Sequence, residues 1–139
     1  MRQKTTSIVL TKAEAALRHI EAAIVAFDRN LFDVAITLAG AAEGMAPDPS
    51  TASLFEAFRN HPLIITDGVE RKKWIGFLDA ERNWLKHTGP EHPPTMVIDQ
   101  TAAVIMLVRA ISKAQPAFGF QSEAIEAFRD WVIENVDAV

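Results

Sequence analysis

The sequence predicts an all-α protein with an antiparallel four-helix-bundle core and five to six helices. Apolar residues recur at spacings of three and four over long segments, as on the buried face of a helix. Residues that cap helix N-termini precede several of these segments, at Thr11, Ser53 and Asp67. With 139 residues, the chain is expected to form a single domain, spanning 1–139 with a core at about 10–136.

The first two predicted helices lie next to each other in the chain. Thr11 and Glu14 have the spacing of a capping box, and Asp28–Asn30 is expected to form a short turn. The second helix should begin near Leu31 and end at Gly44. Its small residues 39–42 include Gly40, which indicates a close crossing with a neighbouring helix. The predicted buried stripe of the first helix comprises Ala13, Ala16, Leu17, Ile20, Ala23, Ile24 and Phe27.

Four further helices follow from the same signals. A short third helix is expected at Ser53–Asn60, and a fourth from Asp67 to the stop at Thr88-Gly89-Pro90. The fifth should run from about Thr95 to Ala114 and be ended by Pro116 and Gly119, and the sixth should begin at Ser122. Because residues 102–108 are apolar on nearly every face, the fifth helix is predicted to be the most central.

Composition narrows the classes of function. The chain has no cysteine, so disulfides, thiolate metal sites and cysteine nucleophiles are excluded. With a net charge of −4, the chain is not expected to attract nucleic acid phosphates over a broad positively charged surface. The longest apolar run is far shorter than a membrane span, and the N-terminal residues lack a secretory signal. We therefore expect a soluble, cytoplasmic protein with no membrane association, no metal and no cofactor.

The motif Arg82-Asn83-Trp84-Leu85-Lys86-His87, at the end of the fourth predicted helix, is the most informative feature. An arginine followed by asparagine, with a histidine after four intervening residues, resembles the motif of the HEPN (higher eukaryotes and prokaryotes nucleotide-binding) domain family. The alanine-rich second helix with its acidic Glu43 is also similar to that family, and the resemblance covers about residues 10–114.

The resemblance implies a metal-independent ribonuclease in which motifs from two protomers meet at a dimer interface. His87 would be the general base for a ribose 2′-hydroxyl and could also act as the acid for the departing 5′-oxygen. Arg82 would hold the phosphate, and Asn83 would orient the phosphate or the histidine. These roles suit the residue types, since histidine exchanges protons near neutral pH and arginine is a planar, permanently charged phosphate ligand.

Three residues around the motif are further candidates for binding. Lys86 adds to the basic character of the fourth helix, which also carries Arg71, Lys72, Lys73 and Arg82. Glu81 falls on the apolar stripe and needs a partner if it is buried; Arg109, or an arginine across a dimer interface, would suit. Glu43 likewise needs a partner if it is buried, and a structural or interface role is favoured for it. No Glu-x-x-His pair completes a di-iron ligand set.

The other histidines and the tryptophans have simpler interpretations. His19, His61 and His92 show no supportive spacing and are interpreted as surface or loop residues. His87 itself lies where an imidazole can favour the helix C-terminal dipole or hydrogen-bond a free carbonyl. Trp84 is the tryptophan most expected at a dimer interface, because it flanks the motif.

Two kinds of function therefore remain open. The first is an HEPN-like homodimer that cleaves or binds RNA, in the setting of a partner such as a nucleotidyltransferase antitoxin. The alternative is a non-catalytic helical module that binds a partner protein or a small anionic ligand. A purely structural assembly unit is a weaker third interpretation.

Overall fold

A computed structural model describes residues 6–47, 81, 83–87, 89 and 92–135. These residues form helices α1 (Lys12–Asp28), α2 (Phe32–Met45), α3 (Gln100–Phe118) and α4 (Glu123–Glu134). Residues 81 and 83–86 are also helical, and the described ranges contain no strand. The predicted all-α class is confirmed. The third predicted helix, and all of the fourth before residue 81, lie outside the described residues.

Helix α1 begins and ends as its sequence dictates. The Thr11 hydroxyl accepts from the Glu14 N–H at 3.0 Å, and the Glu14 carboxylate accepts from the Thr11 N–H at 3.1 Å, which confirms the capping box. At the other end Asn30 adopts the left-handed conformation, with φ of 62°. The Leu31 N–H then reaches back to the Ala26 carbonyl at 2.9 Å. Asparagine tolerates this backbone, so the chain turns sharply into α2.

Helices α1 and α2 pack through small side chains. The predicted apolar stripe of α1 points into the core, with Ile20 fully buried. Alanines dominate the contact on both helices, and short side chains let two helix axes come close together. The alanines of α1 and α2 with no exposed surface are Ala16, Ala23, Ala35, Ala39 and Ala42.

Helix α3 has the most buried residues of the four described helices, as its apolar sequence suggests. Residues 102–107 are all buried, and α3 contacts α1, α2 and α4. Its predicted bounds are wrong at both ends. The helix begins at Gln100 rather than near Thr95, because the Asp99 side chain caps it by accepting from the Ala102 N–H at 3.0 Å.

The end of α3 is set by glycine rather than by proline. The helix continues through Pro116 to Phe118 and stops at Gly119, whose φ of 71° is left-handed. The Gly119 N–H donates to the Gln115 carbonyl at 2.8 Å and closes the last turn. Proline removes one backbone hydrogen bond but is accommodated in this final turn. The helix therefore extends beyond its predicted end at Ala114.

An aromatic cluster joins α4 to the α1–α2 corner. The Phe27 ring lies 5.5 Å from Phe128 and 5.2 Å from Trp131, both edge-on, and 5.9 Å from Phe32. Edge-to-face contacts at these distances stabilise aromatic pairs beyond the burial of their surface. The Ser122 hydroxyl, which caps α4, also donates to the Glu21 carboxylate at 2.8 Å. No helix in the described ranges combines the length and the apolar character needed to cross a membrane.

A buried ion pair connects α2 to α3. The Arg109 Nε lies 2.5 Å from a Glu43 carboxylate oxygen, and the two side chains are only 14% and 10% exposed. Charges in such an environment require a partner, because removal from water costs more than an isolated ion can recover. The sequence-based preference for a structural or interface role of Glu43 agrees with this placement.

Replacing Arg109 with methionine should destabilise the fold by about 3–5 kcal/mol, since Glu43 would lose its charge partner inside the protein. The double variant E43L/R109M, which removes both charges, should recover most of that loss. Urea unfolding of the wild type, both single variants and the double variant measures the coupling. Additive effects of the two single substitutions would contradict a direct pairing.

Candidate functional site

The motif segment, defined here as residues 81 and 83–87, has a buried face and an exposed face. Glu81 is buried and Leu85 packs half-buried against the core, whereas Asn83, Lys86 and His87 are exposed. His87 directly follows the helical residues, and its N–H donates to the Asn83 carbonyl at 2.9 Å. Two predicted site residues, Asn83 and His87, thus share one exposed helix end. Arg82 lies outside the described residues.

The chain after the motif segment folds back towards it. Gly89 has φ of 146°, a backbone conformation that favours glycine. The His92 N–H donates to the Gly89 carbonyl at 3.1 Å, which closes this turn. The Trp84 ring N–H then donates to the Pro93 carbonyl at 2.6 Å. These contacts attach the following loop to the helical end that carries His87.

His92 is brought beside His87 by this loop. The two ring centroids are 6.3 Å apart and the ring planes are inclined by 22°. His87 is exposed and His92 is half-buried. At this centroid separation the ring nitrogens are too far apart to hydrogen-bond each other directly. His92 was expected to be a surface or loop residue, because helical spacing says nothing about how a chain returns after a glycine–proline stop.

Glu81 begins the motif segment and is fully enclosed, with 1% of its surface exposed. Neither carboxyl oxygen has a hydrogen-bond partner in the described part of the chain. Burial raises the pKa of Glu81 from its ordinary value of 4.5 to about 7, and the negative charge of Asp99 contributes in the same direction. Arg109, one of the two partners considered for Glu81, pairs with Glu43 instead.

The exposed end of the motif segment has the groups needed to bind and act on an anion. Lys86 supplies a positive charge, Asn83 a neutral hydrogen-bonding group, and the two imidazoles can donate or accept protons. Within the described ranges, no three His, Asp or Glu side chains cluster closely enough to hold a metal ion. Comparison with known protein families, with curated proteins and with solved structures gives no match to this chain.

The raised pKa of Glu81 predicts that stability falls as the pH rises. Between about pH 4.5 and pH 7 the folded chain keeps a proton that the unfolded chain has released, so the free energy of unfolding decreases through this window. The full shift corresponds to about 3.4 kcal/mol, which is present below pH 4.5 and lost above pH 7.

The test compares Glu81→Gln with the wild type by urea unfolding from pH 4.5 to pH 8. The amide cannot ionise, so the stability difference between the two proteins should change by about 2–3 kcal/mol across this range, in favour of the variant at high pH. Glu134→Gln, at an exposed position near the end of α4, is the matched control and should follow the wild type. Parallel pH profiles for the wild type and Glu81→Gln would contradict the assignment.

The Trp84 hydrogen bond predicts a specific loop defect in Trp84→Phe. This change keeps an aromatic ring but removes the donor to Pro93, which should cost about 1 kcal/mol of stability. It should also weaken the nuclear Overhauser contacts between the rings of His87 and His92. Trp131→Phe, in the aromatic cluster of α1 and α4, is the control and should leave those contacts intact. Equal effects of both substitutions would show that the loop does not depend on Trp84.

Proposed function

We propose that this chain is an HEPN-like, metal-independent RNA-cleaving or RNA-binding domain that works as a homodimer. The observation that carries the proposal is the exposed position of His87 on a helix end, beside Asn83 and Lys86. A ribonuclease needs its proton-transfer group open to a polymeric substrate. An imidazole that served only the core or a helix cap would instead be buried or hydrogen-bonded.

The proposed reaction is the transfer of a phosphodiester to the neighbouring 2′-oxygen. His87 takes the proton from the ribose 2′-hydroxyl, the 2′-oxygen bonds to phosphorus, and the bond from phosphorus to the 5′-oxygen breaks. Arg82 binds the phosphate and stabilises its growing negative charge, while Asn83 orients either the phosphate or the imidazole. The 5′-oxygen leaves with a proton, so the products are a 2′,3′-cyclic phosphate and a 5′-hydroxyl.

The charge of the chain favours a local site over a general affinity for nucleic acid. The net charge is −4, so attraction to phosphates has to come from a small basic surface. Lys86 is exposed on the same helix end as His87. In a homodimer two such ends facing one cleft would double the positive charge. Residues 82 and 87 are also about 140° apart around an ideal helix, so a second protomer would bring an arginine within reach of a histidine.

The test incubates the full chain with a panel of labelled single-stranded RNAs in the presence of a metal chelator. We expect cleavage that leaves 2′,3′-cyclic phosphate ends, and no cleavage of a strand with a single 2′-deoxyribose at the cut position. His87→Ala should lower the rate by about 10²–10⁴-fold, the usual contribution of a general acid or base. His19→Gln, on α1, is the matched control and should cleave like the wild type.

The same assay separates cleavage from binding alone. If every RNA stays intact, the nuclease proposal is wrong. RNA or phosphate binding that is lost in Arg82→Ala but kept in His87→Ala would then support a non-catalytic module for an anionic ligand. Arg18→Ala, which removes an exposed positive charge from α1, controls for the change in net charge.

A further inference from the structure

We infer that His92 is the second catalytic imidazole of the proposed site, the general acid that protonates the departing 5′-oxygen while His87 acts as the base. The inference rests on the proposed ribonuclease function. It assigns the two proton transfers to two separate residues of the same protomer. The observation behind it is the pairing of the two rings, 6.3 Å apart and inclined by 22°.

The two rings are close enough to act on one ligand but not on each other. A direct bond between the imidazoles is excluded by the 6.3 Å between centroids. Hydrogen bonds from imidazolium to phosphate oxygens are about 2.8 Å long, so a phosphate bound at the ring edges is within reach of both residues. In the proposed complex one imidazole serves the attacking oxygen and the other serves the leaving oxygen.

The position of His92 is determined by the backbone rather than by chance proximity. Its own N–H is bonded to the Gly89 carbonyl, and the next residue, Pro93, accepts from the Trp84 ring. His92 is thereby held on both sides to the helix end that carries His87.

The proton balance of the step is complete with these two residues. The 2′-hydroxyl loses its proton to neutral His87 as the new phosphorus–oxygen bond forms. His92, protonated at the start, gives its proton to the 5′-oxygen as the old bond breaks. Water returns both imidazoles to their starting states after product release. No metal, oxidant or other reactant enters the step.

The experiment uses two RNAs that differ only at the leaving atom. One is ordinary RNA, and the other has sulfur in place of the bridging 5′-oxygen at the cut position. A thiolate leaves without being protonated, because a thiol is a far stronger acid than an alcohol. Loss of a general acid therefore slows cleavage of the first substrate and not of the second, whereas a structural defect slows both.

We expect His92→Gln to cleave ordinary RNA about 10²–10⁴-fold more slowly than the wild type. On the sulfur-containing RNA it should approach the wild-type rate. Glutamine keeps hydrogen-bonding capacity at position 92 but cannot transfer a proton, and thermal unfolding verifies that the variant is folded. His87→Ala should be slow on both substrates.

Three outcomes would overturn the assignment, and they are distinguishable. If wild-type protein cleaves neither RNA, the proposed nuclease function fails and the role of His92 fails with it. If His92→Gln cleaves ordinary RNA like the wild type, or is equally slow on both substrates, His92 is not the general acid. The nuclease function, with His87 as its base, survives either of those last two results.

Discussion

The burial of acidic side chains in an alanine-rich core is the constraint on which the candidate site depends. Alanines with no exposed surface occur on α1, α2 and α3, so the interior offers few polar partners. An acidic side chain enclosed in such a fold must find a cation or keep its proton. Glu43 and Glu81 follow these two different routes. Glu43 pairs with Arg109, whereas Glu81 has no hydrogen-bond partner among the described residues and has a pKa raised to about 7.

The inward direction of Glu81 determines what the motif segment presents to solvent. Residues 81 and 85 lie one helical turn apart, so Glu81 and Leu85 point towards the core together. The same periodicity turns Asn83, Lys86 and His87 outward. The apolar side of the segment is anchored by packing and its polar side is exposed.

Local sequence signals predicted the helices well and the long-range contacts poorly. The Thr11–Glu14 box, the Ser122 cap and the buried 102–107 run follow from spacing within a few residues. The start of α3 was missed because the β-branched Val97 and Ile98 stay outside the helix and Asp99 caps it. The pairing of Arg109 with Glu43 depends on how two helices meet, and that of His92 with His87 depends on the contacts of the non-helical residues after the motif segment. Spacing along one helix contains no information about either contact.

The surroundings of His87 help to decide between a structural role for this histidine and a role in ligand binding or proton transfer. One structural interpretation is a bond from its ring to a free carbonyl of the last turn. In the described part of the chain that bond is absent, and it is the backbone N–H of His87 that reaches the Asn83 carbonyl. By contrast, the His19 ring does bond a helix carbonyl, that of Ala15, at 2.7 Å. The His87 imidazole instead lies beside a second imidazole at an exposed helix end.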